Sequence, residues 1–230
     1  MTVVDTQTPR LYRRSLLIAA VGSLRRAWWP VAVTVTVHAL LQAAFTAISD
    51  RYPGGGIAVT LLSAVAVLAA GAVITSAALE ATDGPVSFTL VKSRLRNHVV
   101  LYVAWTVLVV CAVAVALLWW LLPGLVVLAL TPVVSCAAMD GRRDAFVVNL
   151  GVIRERIGRW LITVIVMAAI AGGVWLIAVF CGFFVAGWLG SLIVCAVAGV
   201  VAAWFQCAWA LLYRSTDEGR VALSEHSDAD

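Results

Sequence analysis

Lysine is almost missing from this 230-residue chain: Lys92 stands alone beside fifteen arginines, against twelve acids and three histidines. The arginines sit at the edges of apolar runs, the positive-inside pattern of a membrane protein, and this excludes a nucleic-acid-binding surface. Five cysteines, Cys111, Cys136, Cys181, Cys195 and Cys207, are scattered without CxxC or Cys/His spacing. Neither a disulfide framework nor a metal site follows from them, and they read as small packing residues. No GxSxG, HExxH or P-loop pattern occurs, so the common hydrolase and nucleotide-binding chemistries lack their residues. His38 and His98 enter different apolar runs at different depths, which removes a haem-ligand pair, and no cofactor is expected.

What the chain has in quantity is apolar length. It is 63% hydrophobic, with a mean hydropathy of +1.02, and several runs reach the ~18 residues that cross a hydrocarbon core. A soluble fold of this size could not cover so much apolar surface. The expected fold class is therefore an all-α integral membrane protein. Six transmembrane helices form three hairpins, with amphipathic interfacial helices on the cytoplasmic side.

The expected spans are 31–48, 57–80, 98–119, 124–139, 161–180 and 189–212, with Pro132 kinking the fourth. Residues 1–30 form a polar tail and an interfacial helix. The short apolar run after Arg13-Arg14 meets Arg25-Arg26 and no A-x-A site, so it reads as that helix, with Leu17, Val21, Leu24 and Trp28 on one face. Asp50 to Gly56 and Asp83-Gly84-Pro85 are breaks, with Asp83 or Ser87 as caps. Residues 31–213 make the membrane domain, and 214–230 an acidic, solvated cytoplasmic tail.

Between spans four and five, the helix 143–160 places Phe146, Leu150, Ile153, Ile157 and Trp160 on one face, with arginines around the rest. A helix of that pattern lies in the bilayer interface. Arg25-Arg26, Arg94-Arg96 and Arg154 to Arg159 each precede a hairpin, a weak threefold repeat of interfacial helix plus hairpin. Only Arg51 falls on the opposite side, which puts both termini in the cytoplasm of a bacterial inner membrane.

Candidate functional residues fall into three groups. Arg154, Arg156 and Arg159 suit anionic lipid headgroups, each worth ~1 kcal/mol near a charged surface. His38, Gln42, Glu80 and Gln206 are the polar side chains within or at the ends of spans and would line a ligand or substrate path. Each also has a plainer reading, as a hydrogen bond between helices or, for Glu80, a pair with an interfacial arginine. Ser191, Cys195, Gly199 and Ala203 recur every fourth residue along span six, continued by Cys207. Such a stripe packs a helix of the same bundle or a membrane protein partner. Asp140 and Asp144 invite comparison with metal-dependent membrane transferases, but no other aspartate pair occurs at a span end, so a turn capping the next helix is the expectation.

At Leu122-Pro123-Gly124, Pro132, Arg159-Trp160 and Ala210-Leu211-Leu212-Tyr213-Arg214 the chain resembles the glycerophosphoryl diester phosphodiesterase membrane domain and its stand-alone bacterial relatives. The likeness covers about residues 85–215. Where that family has a Ser-Trp pair after span four, this chain has Val148-Asn149. The resemblance implies a membrane module without an esterase, since the family's catalytic barrel is a separate soluble domain. The leading expectation is a non-enzymatic module that binds a partner protein, or a second copy of itself, or organises membrane lipid at the cytoplasmic face. The alternatives are a small permease for a hydrophobic or amphipathic substrate and an intramembrane transferase.

Overall fold

The structure is a computed structural model that describes residues 16–52, 56–119, 121–185 and 187–216. The N-terminal tail, the beginning of the interfacial helix, the Pro53-Gly54-Gly55 turn, Trp120 and the acidic tail from 217 lie outside the described residues. Among the described residues every element is an α-helix: α1 Leu16–Arg26, α2 Trp28–Arg51, α3 Gly56–Asp83, α4 Phe88–Trp119, α5 Leu121–Leu130, α6 Val134–Met139, α7 Ala145–Phe184 and α8 Gly187–Arg214. Five of them, α2, α3, α4, α7 and α8, are long and apolar enough to cross a membrane. The chain is an all-α, multi-pass membrane protein, the architecture that satisfies every backbone group inside the segment itself.

Several boundaries differ from expectation for identifiable reasons. Proline is tolerated in a first turn, so α2 starts at Trp28 with Pro30 inside it, and α1 ends at Arg26. The α1 face turned to the bundle is Ala20 and Ser23, with Ala27 just beyond it, while Val21 and Trp28 are exposed. Trp204 of α8 holds α1 in place, donating from Nε1 to the Leu17 carbonyl at 3.1 Å. The basic stretch before span three is part of α4. Ser87 Oγ accepts the Leu90 amide at 3.4 Å and caps a 32-residue helix, about 48 Å long. The expected helix 143–160 runs on into span five across a kink. It is the first stretch of the 40-residue α7, set off from the rest by non-helical angles at Arg156, φ −128° and ψ 34°.

The fourth expected span is two helices of ten and six residues, interrupted at Thr131–Val133. Pro132 lacks an amide and its ring crowds the preceding turn, so helical hydrogen bonds are lost here. Asn149, fully buried on α7, replaces them. Its Oδ1 accepts the Val133 amide at 3.1 Å and its Nδ2 donates to the Leu130 carbonyl at 2.5 Å.

Packing is unevenly distributed along the bundle. Buried side chains cluster in the later parts of α3 and α8, along α2 as far as Ala43, in the first half of α4, the short α6 and the opening of α7. Helix α8 is central, against α1, α2, α3 and α7. Toward the opposite end α4 and α7 expose almost every large side chain, Leu118, Trp119 and Phe183 among them.

Candidate functional site

The densely packed end is built around one carboxylate. Helix α6 closes with a Schellman turn: Gly141 donates to Ala138 O at 3.1 Å and Arg142 to Ala137 O at 3.0 Å. Gly141 adopts φ +85°, and a Cβ there would stand 2.9 Å from His98 Cε1. The turn leaves Asp140 at the C-cap with its side chain pointing back into the bundle, only 8% exposed.

Three side chains donate to this carboxylate through four atoms. Arg94 Nη1 reaches Oδ1 at 2.5 Å, while its Nε reaches Glu80 Oε1 at 2.6 Å. Arg214 forks onto both oxygens, at 2.8 Å and 3.0 Å, and Tyr213 Oη lies 3.1 Å from Oδ2. The end of α3, the start of α4, the end of α6 and the end of α8 thus meet at two acids and two guanidiniums of zero net charge. Pairing of this completeness is what lets buried charges persist. The Asp140 turn was expected to cap the following helix or hold a metal. Instead its carboxylate is taken up by arginine, and Asp144, at the N-cap of α7, makes no capping hydrogen bond. Two bonds of 2.9 Å from Arg142 hold the Asp144 carboxyl below the usual range.

The polar residues proposed as a path occupy separate places. Gln206 bridges three helices, donating to Thr75 Oγ1 at 3.0 Å and Ser135 Oγ at 2.8 Å. Gln42 exchanges bonds with Ser63 of α3, at 2.7 Å to the hydroxyl and 3.4 Å to the carbonyl. Glu80 belongs to the ion cluster. His38 is half-buried, and its Nδ1 has no hydrogen-bond partner among the described residues. No hydrogen bond among the described residues joins any two of these four. A groove of about 530 Å³ does exist, but it lies between α4 and α5, lined by Leu108, Val115, Trp119, Pro123 and other apolar residues.

The small-residue stripe of α8 forms its seam with α2. Ser191 Oγ accepts from Thr46 at 3.0 Å, a Cβ on Gly199 would meet Val35 Cγ1 at 2.9 Å, and Ala203 is buried with Val31 and Val35. Cys195, between them, is half-buried.

Around the ion cluster the surface is basic. Arg25, Arg26, Lys92, Arg96, Arg143, Arg154 and Arg159 are exposed at the ends of α1, α4 and α6 and along the opening of α7. Exposed acids here are fewer, and Asp144 and Glu155 pair with Arg142 and Arg156. Arg156 differs from its neighbours. At the kink it turns toward α8, with Nη2 3.3 Å from the Ser215 carbonyl and 3.1 Å from Glu155 Oε1. Beside these arginines Phe146, Leu150 and Ile157 are exposed, whereas Ala145, Val148, Asn149 and Val152 face the bundle.

Sequence reasoning expected Glu80 to pair with an interfacial arginine, which is Arg94, but left out Asp140 as the acceptor shared by Arg94, Tyr213 and Arg214, and the Asn149 bridge. The available signal was an acid directly after the apolar run that ends at Met139, and an arginine closing the last apolar run at 214. Compared with protein-family models, curated proteins and solved structures, the chain matches none.

Proposed function

We propose that the protein is a non-enzymatic, six-pass module of the bacterial cytoplasmic membrane that gathers anionic lipid at its cytoplasmic face. The broken pair α5 and α6 counts as the sixth crossing: α4 starts beside Asp140 and leaves that end, and α6 returns to it. Arginine bias then sets the orientation, with the ion-cluster end and both termini inside.

One observation carries the lipid reading. At this end the buried charges cancel within the protein, while the exposed ones are predominantly basic and interleaved with exposed apolar side chains of α1 and α7. Basic and apolar groups side by side on an interfacial surface suit a leaflet of anionic headgroups over acyl chains. A partner protein is less well supported, because much of the stripe that would receive it is occupied by α2. The resemblance to a phosphodiesterase membrane domain also fits a module whose role is non-catalytic.

The test compares phosphatidylglycerol retained by the purified wild-type chain with that retained by the Arg154→Gln, Arg156→Gln, Arg159→Gln variant, counted by native mass spectrometry. Affinity should fall about fivefold for each headgroup-facing arginine removed, the equivalent of ~1 kcal/mol. Unchanged retention would sink the headgroup role. A second reading, a small permease, rests on His38, whose buried Nδ1 has no hydrogen-bond partner among the described residues. Under that reading His38→Ala abolishes uptake or export of an apolar substrate in whole cells, and under the first it does not.

A further inference from the structure

The last described residues are held against the arginine segment of α7. Ser215 donates its amide to Leu211 O at 3.1 Å and its hydroxyl to Leu212 O at 2.7 Å. Thr216, buried, bonds twice to Tyr213 O, at 3.1 Å from its amide and 2.6 Å from its hydroxyl. The Ser215 carbonyl meanwhile accepts Arg156 Nη2 at 3.3 Å. The chain therefore leaves the bundle from a fixed stem at the kink of α7, one helical turn from Arg159.

What leaves there is acidic. Residues 217–230 carry Asp217, Glu218, Glu225, Asp228 and Asp230 against one arginine, Arg220, and one histidine, His226. At up to ~3.3 Å per residue this length reaches well past the arginine segment. Asp217 and Glu218 are the next two residues in the sequence after the stem, and charges interact over ~8 Å at physiological salt. The acid on the segment itself, Glu155, is paired with Arg156.

We propose that residues 217–230 act as an internal stand-in for a headgroup: the acidic tail docks on the α7 segment around Arg156 and Arg159 and competes there with anionic lipid. The docking stands on the stem and the charges, while the competition rests on the headgroup reading above. The surface is then basic toward the leaflet only when the tail is displaced, and its lipid affinity depends on what else engages the tail.

The experiment uses the full chain in mild detergent with two readouts. Phosphatidylglycerol affinity is measured by native mass spectrometry for the wild type, for a variant carrying Asp217→Asn, Glu218→Gln, Glu225→Gln, Asp228→Asn and Asp230→Asn, and for a chain ending at Thr216. Both altered forms keep every described residue. Separately, benzoylphenylalanine in place of Leu223 is photo-crosslinked without anionic lipid and the attachment mapped by peptide mass spectrometry. The expected result is at least fivefold tighter phosphatidylglycerol binding in both altered forms, the gain from uncovering one arginine. Crosslinks should fall on 154–160 and disappear as the lipid is added. If the altered forms bind lipid like the wild type while the three-arginine variant loses it, the headgroup reading stands and the tail proposal is overturned. If the crosslink maps to 154–160 but lipid binding ignores the arginines, the headgroup reading falls and the competition with it.

Discussion

Asp140 decides more of this structure than any other side chain, because it is the shared acceptor for two arginines from different helices. The balance of terms is unforgiving at such a position. Two buried guanidiniums are tolerable while their carboxylate is present, and removing one partner of a buried ion pair costs about 3–5 kcal/mol. Asp140→Ala takes from Arg94 and Arg214 the carboxylate that they share, and Glu80 still pairs with Arg94. We expect the thermal midpoint of the purified protein to drop steeply. In contrast, replacing Glu80, Arg94, Asp140 and Arg214 together by Leu or Met should recover most of the loss, since apolar replacements of a whole buried cluster are often neutral. A midpoint for Asp140→Ala equal to wild type would show that water or lipid, not Asp140, solvates these arginines.

The break between α5 and α6 shows how elements repair one another. Pro132 was readable as a kink from the sequence, but Asn149 was not readable as its remedy, because a lone asparagine in an apolar stretch carries no address. Asn149→Leu strands the Val133 amide and the Leu130 carbonyl, at about 1–3 kcal/mol for each buried unsatisfied group. Adding Pro132→Ala lets an unbroken helix pair those groups again, so the double variant should be more stable than Asn149→Leu alone. Strict additivity, within about 0.5 kcal/mol, would mean that the asparagine does not serve the break. The same region shows which part of the apolar face of 143–160 the protein covers. Phe146, Leu150 and Ile157 of that face are turned away from the protein, while Ile153 packs against the core and Trp160 is buried; Ala145, Val148 and Asn149 are turned inward. In water the larger hydrophobes go inside. In lipid both surroundings are apolar, so close packing and polar contacts choose the inward face instead.

At the scale of the molecule, helices and their apolar lengths were legible, and the five long helices follow from composition alone. Arginine counting gave a sidedness but treated Arg94 and Arg214 like the exposed arginines, although both are buried against Asp140. That pairing supplies an independent argument for topology. The proposed sixth crossing, by α5 and α6 together, puts Asp140 on the same face as Arg94, in keeping with their contact at 2.5 Å. The six proposed crossings would put residues 84, 142 and 215 on one face and residues 52, 119 and 185 on the other. Cysteines introduced singly at these six positions in a cysteine-free background, and probed in intact cells with a membrane-impermeant maleimide, should label at 52, 119 and 185 only. Labelling at 142 as strong as at 119 would make α5 and α6 a re-entrant pair and leave five crossings. The same outcome would put Arg143 and Arg154 on the outer face, away from the cytoplasmic leaflet that the lipid proposal requires.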